Sequence, residues 1–180
     1  MFREMRRKAQ QLPEEECIEI LKRATSGVLA VYGDDGYPYA VPVSHVYYDG
    51  KIAFHCAKDG HKIDAIRRNG KVSFCVIAQD EVMPKERTTA FISVIAFGKA
   101  RIIEDEAGLR KIAGMVGEKF SADYPEECRK ETDEVIAANR MYCVEITVEH
   151  MAGKCGKEVL LRRNVVCREA SVLRMPEWED

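Results

Sequence analysis

Between Gly27 and Cys75 the chain alternates apolar runs with Asp-Gly turns, and few folds accommodate that order. The runs are Gly27 to Tyr32, Tyr39 to Tyr48, Ile52 to Ala57 and Val72 to Ala78. Asp35-Gly36 and Asp49-Gly50 separate the first three. Asp-Gly suits the positive φ angles of a tight hairpin turn, so between β-rich runs it is a strong hairpin signal. The stretch is therefore expected to form an antiparallel β-meander. Its third strand breaks at Lys58-Asp59-Gly60-His61-Lys62, and Lys62 to Arg68 reads as a short helix before the next strand.

That break carries candidate chemistry. Gly60 permits a tight turn, and a helix starting beside it presents backbone N–H groups without helical partners, a natural anion site. His61 and Lys62 add donors at the same end, where cations oppose the helix dipole. A bound phosphate would resolve that conflict; a solvated turn with an incidental lysine is the alternative. Pro42 cannot donate to a β-ladder, so its strand has a free side there. Backbone groups around Pro42, Val43 and Ser44 are then open to a ligand, or simply mark an edge strand or bulge.

Composition sets limits on the rest. A length of 180 residues suggests one domain. With 46% hydrophobic and 32% charged residues the balance is that of an ordinary soluble protein. A net charge of −2 gives no reason to expect nucleic acid or an anionic membrane as partner. No apolar run approaches the ~20 residues that span a bilayer. The start, MFREMRRKAQQ, is charged where a signal peptide needs an apolar core, so a cytoplasmic location is expected. Cys17, Cys56, Cys75, Cys128, Cys143, Cys155 and Cys167 form no C-x-x-C pair and no zinc-finger spacing with histidine. Neither a structural metal nor a disulfide is expected.

Along the chain, Pro13 followed by three glutamates opens a packing helix that closes at Thr25-Ser26-Gly27. Gln79 to Thr88 reads as a polar loop, and Thr89 to Ile103 as a long strand with a bulge or bend at Gly98. Glu106 to Phe120 is an amphipathic helix, and Pro125 starts a second, polar one ending near Arg140. Met141 to Glu149 alternates as a last strand, with Tyr142, Val144, Ile146 and Val148 on one face. Lys157 to Arg168 fits neither period, and the tail holds the single tryptophan, Trp178.

Several pieces occur here in one order: Gly27-Val28-Leu29-Ala30, Gly36 to Ser44, Phe54-His55-Cys56-Ala57, Gly60-His61-Lys62 and Phe91 to Ala100. The set resembles the flavin-binding split-barrel superfamily of pyridoxamine 5'-phosphate oxidases, and more closely its nitroimidazole-resistance (Nim-type) branch. The resemblance covers roughly residues 1–155, an FMN-binding domain, and leaves 156–180 as a C-terminal extension. It implies a mainly β fold with flanking helices, a six-stranded antiparallel split β-barrel. It also implies a homodimer with FMN in each of two clefts between protomers. By position, His61 and Lys62 fall where the oxidases hold the phosphate with an Arg-Lys pair. His55, Cys56 and Ala57 fall along the ribityl chain and phosphate. Val41, Pro42, Val43 and Ser44 fall along the isoalloxazine edge, while Ser93 and Val94 belong to the interface and the cleft's far wall.

One departure narrows the expected activity. The oxidases begin the flavin-edge strand with an arginine where this chain has Ala40, and their C-terminal substrate-phosphate motif has no match. Oxidation of pyridoxamine phosphate is therefore not expected. The resemblance points to an FMN-dependent oxidoreductase taking electrons from NAD(P)H to a small planar, nitroaromatic acceptor. A split-barrel module that binds FMN, or haem, without turnover is the alternative. Flavin chemistry requires no protein nucleophile, and no catalytic side chain is assigned.

Overall fold

The computed structural model describes residues 2–162. A first helix, α1 (Glu14–Arg23), leads into strands β1 (Ser26–Tyr32), β2 (Pro38–Ser44), β3 (Val46–Tyr48) and β4 (Lys51–Ala57). Helix α2 (His61–Arg68) follows, then the long strands β5 (Lys71–Met83) and β6 (Thr88–Ile103). Helices α3 (Glu106–Phe120) and α4 (Pro125–Ala137) precede the last strand, β7 (Met141–Cys155). All seven strands form one antiparallel sheet in the order β2-β1-β5-β6-β7-β4-β3. Strands β2 and β3 are consecutive in sequence yet lie at opposite edges, so the sheet must curl until its edges approach. No ladder joins them, and the barrel stays split. The architecture is mainly β with flanking helices, with seven strands where six were expected. Among the described residues no helix is long and apolar enough to cross a membrane.

The extra strand arises at His45. The sequence predicts one strand over Tyr39 to Tyr48; the structure divides it there into β2 and β3. His45 is fully buried, with Nε2 2.9 Å from the Leu21 carbonyl oxygen. Its ring meets that of Phe74 edge-on, with centroids 4.9 Å apart. Lys119 of α3 fastens the corner by donating to the carbonyls of Ala24 at 2.6 Å and His45 at 2.9 Å. A polar side chain so enclosed fixes the backbone around it. Apolar periodicity alone gives no sign of such a corner.

Burial, aided by the charge of Lys119, lowers the His45 pKa from 6.5 to about 4. The folded chain thus holds the ring neutral at pH values where the unfolded chain protonates it. Stability should be complete above pH 6.5 and fall as the pH approaches 4. The loss should reach about 3 kcal/mol. Urea titrations across that window should show the fall, and His45→Gln should flatten it. A flat wild-type profile would contradict a neutral buried His45.

Two further boundaries differ from expectation. Gln79 to Thr88 is not a loop: β5 runs on to Met83 and pairs with β6 through Val82↔Thr89 and Met83↔Thr88. The register slips between Ile77 and Gln79, and this ribbon leaves much of its surface in water, with Ile77 67% and Val82 70% exposed. None of Ile77 to Met83 is fully buried, so this arm of the ribbon has no apolar alternation to display. Strand β7 extends past Glu149 to Cys155. The irregularity expected at Gly98 is present, but the additional residue is Glu149 on β7, between Gly98↔Val148 and Phe97↔His150. A Cβ on Gly98 would sit 2.2 Å from the Thr147 carbonyl oxygen, so close strand approach demands glycine here. The structure places residues 157–162 in a helical turn, with Arg162 donating to both Glu81 oxygens at 2.7 and 3.1 Å. Arg163 to Arg168 and Trp178 lie outside the described residues.

The barrel interior is filled by Leu29, Phe54, Phe74, Val76, Val94, Val144 and Ile146, all essentially inaccessible. Helix α3 lays Leu109 and Ile112 against Val46, Ala53 and Cys143 on the outer side of β3, β4 and β7. Also buried is Glu145, which accepts from Tyr48, from Lys51 at 3.1 Å and from Arg101 at 2.9 Å. Burial raises its pKa, but these donors prevail and hold it at about 2. The outer face of β1, β5 and β6 carries exposed Val28, Ile77, Ile95 and Phe97. Phe2 lies on part of it, its ring centroid 5.6 Å from that of Phe97 and 4.8 Å from that of His150.

Candidate functional site

The turn from β4 into α2 depends on Gly60, whose φ of 120° is one that side-chain-bearing residues rarely adopt. The Gly60 carbonyl accepts from the amides of Ile63 at 2.9 Å and Asp64 at 3.2 Å. No side chain caps the helix, so the His61 and Lys62 amides at its start are open to an anion.

The basic side chains of α2 differ sharply in their company. His61 Nε2 is 3.4 Å from Asp34 Oδ2, and its ring stacks on Tyr39 with centroids 4.1 Å apart. Arg68 donates to the other Asp34 oxygen at 2.5 Å, and Arg67 lies 4.0 Å from Asp64. Among the described residues Lys62 has no ion pair. Its charge reaches Cys56, whose thiol pKa is raised by burial and pulled back by Lys62.

Around the same point stand Lys58 and Arg67. Tyr142 pairs with Cys56 across β4 and β7. Lys58 Nζ is 4.6 Å from the Tyr142 ring centroid and donates to Asn139 Oδ1 at 2.7 Å. The Arg67 guanidinium is 5.6 Å from that centroid and donates to the Tyr142 hydroxyl at 3.4 Å. Lys58 and Arg67 thus meet at the Tyr142 ring, and the Lys62 charge acts on Cys56, the cross-strand partner of Tyr142, so three cations gather at one end of the barrel.

Alternation along β4 sends Ile52, Phe54 and Cys56 toward the interior and Ala53, His55 and Ala57 outward. Strand β3 covers β4 only over Lys51–Ala53, which leaves the edge from Phe54 to Ala57 without a strand on that side. Beside it, under α3 and α4, lies a cavity of about 590 Å³ lined by Ser44, His55, Cys56, Ala57, Glu131 and Arg140 among others. This is within the ~300–1,000 Å³ usual for small-molecule sites. Burial lowers the pKa of His55, and the Glu131 charge opposes that shift.

The sequence-predicted residues therefore divide. Ser44, His55, Cys56 and Ala57 share one cavity. Pro42 is exposed on β2, which pairs with β1 alone and so has a free edge, while Val41 and Val43 turn against the core. His61 is engaged by Tyr39 and Asp34, whereas the charge of Lys62 acts on the Cys56 thiol. Ser93 is half-buried on β6, and Val94 is fully buried in the core; neither lines that cavity. Lys58, Arg67, Tyr142, Glu131 and Arg140 were missed by sequence reasoning. Their relevance rests on the β4–β7 pairing and the position of α4, and no local motif signals either. Among the described residues no three His, Cys, Asp or Glu side chains are grouped to hold a metal.

No curated protein sequence matches the chain. Among solved structures it resembles a conserved hypothetical protein of Mycobacterium tuberculosis, with TM-score 0.73 and 21% identity over 98% of this chain and 97% of that one. A candidate 5-nitroimidazole antibiotic resistance protein of Bacteroides thetaiotaomicron gives TM-score 0.64 and 20% identity, over 81% and 86% of the two chains. A FAD-binding protein of Mesorhizobium loti gives 0.56 and 25%, over 82% and 98%. At such identities the first two likenesses speak for the fold. The family model for pyridoxamine 5'-phosphate oxidase matches residues 13–154, which run from the start of α1 through nearly all of β7 and include every strand, and the chain belongs to that family.

Proposed function

We propose that the protein is an FMN-dependent oxidoreductase that carries electrons from NAD(P)H to a small planar acceptor, acting as a cytoplasmic homodimer. The observation that carries this is Lys62, which has no ion pair among the described residues and stands at the uncapped start of α2, just after β4. The residues present fit the cofactor. Lys62, with Lys58 and the first amides of α2, would hold the phosphate, and His61 would flank it. Backbone groups of Val41 to Ser44 would meet the ring's polar edge, with His55, Cys56 and Ala57 along the ribityl chain. Ser93 would reach the cofactor from a second copy, across the exposed face of β1, β5 and β6.

Bound FMN would supply hydride transfer, and this chain's residues would bind and orient it. In balance, a nitro compound would take a hydride from the nicotinamide and a solvent proton, releasing water and leaving a nitroso group. Ala40 is exposed on β2 and supplies no cation for a phosphorylated substrate. FMN-loaded protein should therefore oxidise NAD(P)H faster with a nitroimidazole present, while forming little aldehyde from pyridoxamine 5'-phosphate. Rapid pyridoxal phosphate formation would overturn the acceptor assignment. Silence in both assays would favour the binding module. A Soret band in the purified protein, in place of flavin bands, would make its ligand haem.

A further inference from the structure

In the single chain Phe2 occupies part of the outer face of the sheet. Its ring stacks on His150, with centroids 4.8 Å and planes 11° apart, and its centroid is 5.6 Å from that of Phe97. Phe97 and His150 are cross-strand partners on β6 and β7. Little else fastens the segment that carries Phe2. Among the described residues, none of residues 2–6 takes part in a backbone hydrogen bond, and the ion pair of Glu4 with Lys8 is local. Arg3, Glu4, Arg6 and Arg7 are exposed.

The seat is only partly filled. Phe2 stays 43% exposed, and beside it a hollow of about 470 Å³ remains open between Phe97 and Gly98 of β6 and Tyr32 and Pro38 of the first hairpin. A contact with so few groups and no backbone hydrogen bond opens at low cost. It nevertheless shields Phe97, which stands with Val28, Ile77 and Ile95 on a face whose exposed apolar groups favour association. A second copy seated there would need the same side of Phe97 and His150 that Phe2 covers. Arg3 and Glu4 follow Phe2 directly, and charged groups are depleted at the buried centre of an interface. The segment and a second copy therefore exclude one another at this row.

We propose that residues 2–7 are a self-masking strap: Phe2 covers the Phe97–His150 row in the single chain and is displaced when a second copy of the chain docks there. The seat stands on the contacts above; the displacement rests on the homodimer reading. In a symmetric pair each copy must release its own strap, so the masking weakens association twice over.

The test uses the full-length protein saturated with FMN. Sedimentation over a range of concentrations gives the dimer dissociation constant, and NMR of the His150 ring protons reads the seat, because a stacked aromatic ring shifts them. In dilute protein Phe2→Ala should abolish that shift. An aromatic contact is worth a factor of ~3 in each chain, so Phe2→Ala should tighten the dimer ~10-fold. Phe2→Tyr, which keeps the ring, should match the wild type in both measurements. A His150 signal unchanged in dilute Phe2→Ala would overturn the seat and with it the proposal. Equal dimer affinities of wild type and Phe2→Ala would overturn the displacement. A weaker Phe2→Ala dimer would overturn it too, by making Phe2 part of the interface. If both proteins stay monomeric at every concentration while His150 shifts in the wild type alone, the homodimer reading fails and the displacement falls with it.

Discussion

Replacing Lys62 with alanine should weaken FMN binding by about one to two orders of magnitude without unfolding the chain. The size follows from losing one charge-assisted hydrogen bond, worth roughly 1.5–3 kcal/mol. The fold should survive because Lys62 has no ion pair among the described residues, and the neighbouring Ile63, Ala65 and Ile66 carry the helix's buried contacts. His61→Ala should cost less affinity, since its ring is already engaged by Tyr39 and Asp34. Riboflavin, which has no phosphate, separates the possible causes. If Lys62 meets the phosphate, its removal should leave riboflavin affinity nearly unchanged in the same fluorescence titration. Equal losses for both ligands would place Lys62 elsewhere on the cofactor, and unchanged FMN affinity would remove it from the site.

The two Asp-Gly hairpins, the α2 turn and the amphipathic helix at Glu106 to Phe120 were legible because each depends on neighbours in sequence. The continuous meander was not formed, since β2 and β3 lie at opposite edges of the sheet. Asp35 and Asp49, each followed by glycine, take the positive φ values that tight turns require. Leu109 and Ile112 face the sheet at helical spacing. What escaped depends on partners distant in the chain. The division at His45 comes from Leu21 and Lys119, and the length of β5 comes from pairing with Thr88 to Phe91. The site divides in the same way. Gly60 and Lys62 stand out locally, whereas Lys58 and Arg67 acquire a role only because β7 brings Tyr142 beside Cys56. The engagement of His61 also has a distant cause, in Asp34 and Tyr39 on the first hairpin.

The substitutions Ile95→Glu and Phe97→Glu, made together, should turn the proposed homodimer into a monomer and release the flavin proposed to lie at its interface. Both side chains point out of the sheet, Ile95 41% and Phe97 38% exposed in one chain, while Val94 and Ala96 between them fill the core. Their neighbours across the strands continue the face: Val28↔Cys75↔Ile95↔Ala152 in one row and Ala30↔Ser73↔Phe97↔His150 in the next. These rows join small and apolar side chains over four strands, a surface suited to pairing with a second copy. Two glutamates placed there would remain solvated in a monomer. In a dimer they would be desolvated near their symmetry mates, at a cost of several kcal/mol. Circular dichroism should show the fold retained, sedimentation should show the mass halved, and gel filtration should separate protein from FMN. Ser93 lies on the same face of β6 as Ile95, so loss of the partner would also remove the far wall that Ser93 is proposed to supply. A wild-type monomer holding one FMN per chain would defeat both the interface and that role for Ser93.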